Sequence, residues 1–173
     1  MAVYALGDLC PEIHPDAYVH PDATVIGDVR IGAHASIWPQ VVLRADDNHV
    51  RIGARTNVQD GSVLHAAPET PVTVGEGTVI GHCVHIEGAS IGAGCLIASG
   101  SILLNSTVIE DGAAVGAGAL ISFDGHVPAG QIALGVPARN RENTFFPMAE
   151  VATIVADYVR NAERFRARLR RLD

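Results

Sequence analysis

The chain has 173 residues, of which 48% are hydrophobic and only 5% aromatic. This composition excludes a disordered chain and predicts one folded domain with a core of small aliphatic side chains. All 12 of its cationic residues are arginines, set against 19 acidic residues, and the net charge of −7 argues against nucleic acid as a partner. No basic and apolar leader and no long apolar run is present, so we expect a cytoplasmic protein without a membrane partner.

Aliphatic residues recur every six positions along most of the chain. Eighteen positions fit this spacing: Ile13, Val19, Val25, Ile31, Ile37, Leu43, Ile52, Val58, Leu64, Val74, Ile80, Ile86, Ile91, Ile97, Leu103, Ile109, Val115 and Ile121. A six-residue unit is too short for a helical repeat but fits a short strand and a tight corner, so three units make one three-sided coil. The spacing predicts an all-β solenoid over residues 1–141, a left-handed parallel β-helix of about six three-sided coils.

Two insertions interrupt the six-residue spacing on the same side of the predicted solenoid. Three residues are added between Leu43 and Ile52, and four are added between Leu64 and Val74. They predict irregular loops at 45–51 and 66–71, over one corner of neighbouring coils. Loops on a rigid scaffold are where functional residues collect, so we expect a functional site near this corner.

The hydrophobic pattern changes to helical spacing after Pro137. Apolar residues at three- and four-residue intervals are Val151, Ile154, Val155, Tyr158, Ala162, Phe165, Leu169 and Leu172. This pattern predicts an amphipathic helix within a C-terminal segment, 142–173, that packs on the β-helix or on a neighbouring subunit.

The repeat also predicts which polar side chains are neighbours. The aliphatic positions fall in turn on the first, second and third faces of each coil, beginning with Ile13 on the first face. Arg44, His65 and Glu87 each follow an inward aliphatic residue of the third face, so they form one outward column in successive coils. Asp60 and His82 form a second outward column on the second face. His65 and His82 therefore point away from different sides of one chain, and a second subunit is needed to bring them together.

Several stretches of the chain resemble the γ-class carbonic anhydrases. They are Arg44-Ala45-Asp46, Thr56-Asn57-Val58-Gln59-Asp60 with His65, Gly81-His82 through Glu87-Gly88, and Gly135-Val136-Pro137-Ala138-Arg139. The resemblance covers roughly residues 10–141. It implies a homotrimer with Zn²⁺ or Fe²⁺ between subunits, in which a metal-bound hydroxide hydrates CO₂ to bicarbonate.

The resemblance also implies the metal ligands. It puts His65 and His82 at two of the three metal positions, whereas the third, a histidine in the family, is Glu87 here. Two histidines and one carboxylate form a legitimate metal set, so we expect His65, His82 and Glu87 as ligands. His85 flanks the same inward residue as Glu87 and is the substitute for it.

Further roles follow from the same resemblance. Arg44, Asp46 and Asp60 resemble the interface residues that fix the site, and Gln59 resembles the residue that orients the metal-bound water or bicarbonate.

Two other functions remain open from the sequence. Hexapeptide repeats also occur in acyltransferases, where His65 or His82 would act as a general base toward an acceptor hydroxyl or amine. A catalytically weak trimeric scaffold is the other alternative, and the presence of Glu87 in place of a ligand histidine favours it.

Overall fold

The computed structural model describes residues 2–173 as a left-handed, three-sided parallel β-helix followed by one α-helix, which confirms the predicted fold. In chain order the elements are β1 (Ala2–Tyr4), β2 (Glu12–Ile13), β3 (Tyr18–Val19), β4 (Thr24–Ile31), β5 (Ser36–Ile37), β6 (Val42–Ile52), β7 (Asn57–Val58), β8 (Val63–His65), β9 (Val72–Val74), β10 (Val79–Ile80), β11 (His85–Glu87), β12 (Ala89–Ile91), β13 (Leu96–Ile97), β14 (Ile102–Leu103), β15 (Thr107–Ile109), β16 (Ala114–Val115), β17 (Leu120–Ile121), β18 (His126–Val127), β19 (Gln131–Leu134), β20 (Arg139–Glu142) and α1 (Ala149–Arg168).

The strands form three faces. The second face is a sheet of eight strands, β3, β5, β7, β10, β13, β16 and β19 in order, with β20 added antiparallel at its end. The first and third faces share a sheet of twelve strands, because β4 and β6 are long enough to continue around a corner. The third face contains β1, the first halves of β4 and β6, and then β8, β11, β14 and β17. The first face contains β2, the second halves of β4 and β6, and then β9, β12, β15 and β18.

The residues at the six-residue spacing fill the interior. Sixteen of the eighteen are buried, and Ile13 and Val19 in the first coil are partly buried against the same core. The spacing continues beyond the predicted positions to Val127 and Ala133, both of which are buried. The solenoid therefore has about seven turns rather than six. The predicted spacing ended at Ile121, and beyond Val127 the next interior position is an alanine, which is a weak marker of an interior position.

The predicted loop at 45–51 is instead part of the long strand β6. The pairing of β6 with β4 stops at Ala45 and resumes at Val50, and β6 pairs with β8 before this corner and with β9 after it. The inserted residues are accommodated by a register shift between Gly27 and Val29 of β4. Asp46 thus lies in a bulge of β6 that is held between two paired stretches of the same strand.

Helix α1 packs against the second face of its own chain. Val151 and Val155 contact Val79, while nearer the helix end Ala162 packs with Tyr18 and Trp38. Among residues 2–173, no helix is both long enough and apolar enough to cross a membrane. The division of the chain at residue 141 stays a prediction.

Candidate metal site

Arg44, His65 and Glu87 lie side by side on the third face. Strand register pairs Arg44 with His65 and His65 with Glu87. Glu87 Oε1 lies 3.3 Å from His65 Nδ1, and this hydrogen bond holds the pKa of Glu87 below its ordinary value against the opposing effect of burial. The carboxylate therefore remains charged next to the ring.

The other ring nitrogen of His65 faces Asp46. Nε2 is 3.3 Å from Asp46 Oδ1, but the two atoms do not form a hydrogen bond, and both are buried without any other partner. Arg44 binds the second oxygen, Oδ2. Burial raises the pKa of Asp46, but its own backbone N–H and Arg44 together lower it below the ordinary value. Arg44 thus binds one carboxylate oxygen of Asp46, and the other faces His65 without a hydrogen bond.

His85 contacts the same carboxylate as His65. His85 Nε2 lies 3.5 Å from Glu87 Oε2, and the His85 side chain is about half exposed. Glu87 therefore lies between two imidazole rings, one buried and one open to solvent.

His82 and Asp60 lie elsewhere in the chain, next to strands of the second face. His82 Nδ1 is 3.0 Å from Asp60 Oδ2, and both side chains are about half exposed. His65 follows the inward residue of β8 in the other sheet, so one chain does not bring the two histidines together.

Gln59 is buried on the second face next to Asp60. Its Nε2 donates a hydrogen bond of 2.9 Å to Asn57 Oδ1, and Asn57 is fully buried. Its neighbour in the adjacent coil is Trp38, whose ring meets the Tyr158 ring of α1 edge-on at 5.3 Å. The amide nitrogen of Gln59 is therefore fixed by Asn57, on a face that α1 covers in part.

Two residues near these groups were missed by the sequence analysis. Asp47 has a carboxylate oxygen within 4.8 Å of donor atoms of both Asp46 and His65, and its position next to Asp46 was the available signal. Tyr158 lies close enough to Asp60 for the carboxylate charge to raise its pKa, after the larger effect of burial. Its helical spacing had suggested packing alone.

Apolar side chains surround the polar column on the outside of the third face. Register puts Ile26 before Arg44 in the same column, and Val42 and Val63 in the parallel column beside it. His85 follows Val63 in that second column, and Ile102, which is 40% exposed, comes after it. A solvent-facing sheet normally alternates apolar and polar residues, so this face has the composition of a contact surface.

The repeat region matches the family model "Bacterial transferase hexapeptide (six repeats)" over residues 11–45. The protein YrdA of Escherichia coli (strain K12) is 42% identical over 139 residues, which cover 76% of this chain and 76% of YrdA. "Gamma carbonic anhydrase 1, mitochondrial" of Arabidopsis thaliana is 38% identical over 138 residues, which cover 76% of this chain and 50% of the plant protein. The chain belongs to the γ-class carbonic anhydrase family.

The fold of this family member is shared with proteins described as transferases. A hexapeptide transferase family protein from Anaplasma phagocytophilum superposes with a TM-score of 0.90 at 28% identity, and the match covers 95% of this chain and 98% of that one. Because one fold serves several activities, the activity has to be argued from the site.

Proposed function

We propose that the protein is a cytoplasmic, homotrimeric carbonic anhydrase that converts CO₂ to bicarbonate at sites between subunits, without a nucleic-acid or membrane partner. One observation carries the proposal. His65 Nε2 is buried and makes no hydrogen bond, although it lies 3.3 Å from the carboxylate oxygen Oδ1 of Asp46. A buried nitrogen that faces a carboxylate oxygen without a hydrogen bond can be satisfied by a cation that binds both atoms.

The residues present fit a divalent cation, Zn²⁺ or Fe²⁺. Bonds of about 2.0–2.2 Å from a tetrahedral metal to nitrogen and oxygen put two ligand atoms about 3.3–3.5 Å apart. His65 Nε2 lies 3.3 Å from Asp46 Oδ1 and Nδ1 lies 3.3 Å from Glu87 Oε1, so a cation bound to one ring nitrogen has one of these two carboxylates at that spacing. The proposed ligands are His65, His82 of a neighbouring copy, and a carboxylate. Glu87 stands at the family position for the third ligand, with His85 as its substitute.

A cation held there would lower the pKa of a water from about 15.7 toward about 7, which supplies hydroxide for addition to CO₂. The chain's own residues orient the reactants. Gln59 uses its amide nitrogen to bind Asn57, which leaves its carbonyl oxygen to accept a hydrogen bond from water or bicarbonate. Arg44 fixes Asp46, and Asp60 fixes His82, so the proposed role of these residues is to hold the ligands in place.

The separation of the two histidine columns requires a second subunit, and the resemblance to the γ-class carbonic anhydrases implies that the assembly is a trimer. A site that needs both histidines requires the third face of one chain to meet the second-face edge of another. Contact at that edge would also cover Ile102, Val42 and Val63 on the third face. Cyclic symmetry would repeat this heterologous contact three times and close the ring.

A complementation experiment tests the proposal. His65→Ala and His82→Ala proteins are each expected to bind no metal, because each lacks one ligand in every site. Mixed trimers contain one interface that has both histidines, so an equal mixture should recover about one quarter of the wild-type metal and hydration activity. His126→Ala is the matched control, since His126 is about as exposed as His82 and also contacts a carboxylate, Glu110.

Three results would contradict the proposal. If subunits exchange and no metal returns, the site does not span subunits. If the wild-type protein purified without oxygen binds no metal, the scaffold function replaces the enzyme. Consumption of acetyl-CoA that depends on His65 or His82, without CO₂ hydration, would favour an acyltransferase.

A further inference from the structure

The carboxylate nearest the free nitrogen of His65 belongs to Asp46. His65 Nε2 and Asp46 Oδ1 are 3.3 Å apart, and neither has a hydrogen-bond partner although both are buried. Two such atoms form an ion pair when the ring is protonated, and a cation that binds both satisfies them when the ring is neutral. Their separation matches two ligand atoms on one tetrahedral metal.

Glu87 lies on the opposite side of the ring. Its Oε1 contacts Nδ1 of His65, and its Oε2 contacts His85. In metal sites a ligating histidine usually donates its second ring N–H to a carboxylate, which fixes the ring and directs the other nitrogen to the metal. Glu87 has the position of that supporting carboxylate.

We infer that Asp46 supplies the third protein ligand through Oδ1, and that Glu87 is a positioning residue that holds His65 through Nδ1. The inference rests on the proposed function and replaces only its third ligand. Arg44 binds Oδ2 of Asp46 and so fixes the direction of the free oxygen. Asp47 adds a second carboxylate in the same cluster. A chain with glutamate at the family's third position thus keeps two nitrogen donors and one oxygen donor.

Zn²⁺ binding to two variants separates the roles of the carboxylates. Asp46→Asn removes the charged donor, and Zn²⁺ affinity, measured by competition with a chelating dye, should fall more than about 100-fold. Glu87→Gln keeps an acceptor for His65 Nδ1, so its affinity should fall by only about tenfold, the lower end of the range for a residue that supports a ligand. The visible spectrum of bound Co²⁺ should change in Asp46→Asn and persist in Glu87→Gln.

Asp28→Asn is the matched control for the loss of an ion pair. Asp28 binds Arg51 at 2.8 Å, and its side chain is 33% exposed against 27% for Asp46. The control should retain wild-type Zn²⁺ affinity. Trimer mass and melting temperature of all three variants would show whether lost binding reflects lost structure.

The outcomes are distinct. A larger loss in Glu87→Gln than in Asp46→Asn, or Asp46→Asn affinity within threefold of wild type, overturns the inference but leaves the proposed function intact. No Zn²⁺ binding by the wild-type protein overturns the proposed function itself. If Asp46→Asn does not assemble, an anomalous-scattering map of Zn²⁺-loaded wild-type crystals decides. An Asp46 oxygen within about 2.2 Å of the metal supports the inference, and a Glu87 oxygen there overturns it.

Discussion

Replacing Gly53 by alanine should force two coils of the β-helix apart. A Cβ at this position would lie 2.5 Å from the carbonyl carbon of Gly75 and 2.6 Å from the backbone nitrogen of Glu76. Ordinary contacts between carbon atoms are about 3.5–4.0 Å, so the coils would have to separate locally by about 1 Å. Gly94 is the matched control, because it has a φ of +62° and a methyl group added there would meet no atom within 4 Å.

The two substitutions differ in their physical cost. Alanine at Gly94 would cost about 1–2 kcal/mol for a left-handed conformation, offset by about 0.4–1 kcal/mol from the stiffer unfolded chain. Alanine at Gly53 would meet backbone that cannot rotate away, so its cost should reach the upper end of overpacking, about 3 kcal/mol. We therefore expect Gly53→Ala to be about 2 kcal/mol less stable than Gly94→Ala.

Urea denaturation followed by far-UV circular dichroism, at one protein concentration, measures this difference. The clash has a second consequence, because the coil of Gly53 continues to His65 and the coil of Gly75 continues to Glu87. Zn²⁺ affinity should therefore fall in Gly53→Ala and not in Gly94→Ala. Equal stability of the two variants would show that glycine is not required for the close approach of these coils.

The interior and the ion pairs give two further predictions. Ile97→Asp puts an unpaired carboxylate in the core between Ile80 and Val115 and should lower the free energy of unfolding by about 3–5 kcal/mol. Ala98→Asp, on the outside, should have a small effect. Equal losses of melting temperature in the two variants would mean that inward and outward positions are misassigned. Arg51 lowers the pKa of Asp28, so the pair stabilises the fold above the unfolded-state pKa of about 4, and this contribution disappears as pH falls through the lower folded-state pKa. Asp28→Asn should therefore cost less than about 1 kcal/mol at pH 7 and nothing near pH 2, and an equal loss at both pH values would contradict the linkage.

Much of the fold could be predicted from the sequence because interior positions of a β-helix recur at one fixed interval. Large aliphatic residues such as Leu43, Leu64 and Ile86 mark this interval without ambiguity. The prediction missed the last turn, although Val127 and Ala133 keep the six-residue spacing. It also gave a loop at 45–51 where the structure has the bulged strand β6, because inserted residues break the spacing and the spacing does not predict how they are accommodated.

The sequence predicts which side chains of the site are neighbours, but not which of their atoms are in contact. Register alone puts Arg44, His65 and Glu87 next to one another, as the structure has them. Which nitrogen of His65 meets which carboxylate depends on side-chain rotation and on the anchoring of Asp46 by Arg44. Such choices are made by local packing after the backbone is set, so no spacing in the sequence predicts them.

Helix α1 changes how the solenoid can come apart. Turns of a solenoid normally touch only their neighbours, so an end turn can fray by itself. Here α1 begins against Val79 of a middle turn, and near its end Arg166 donates hydrogen bonds to the backbone oxygens of Asp16 and Ala17 in the first turn. The helix thus connects the first turn to the middle of the solenoid. Opening of the first turn requires α1 to detach, so the amide hydrogens of the first turn and of α1 should exchange with solvent as one cooperative unit.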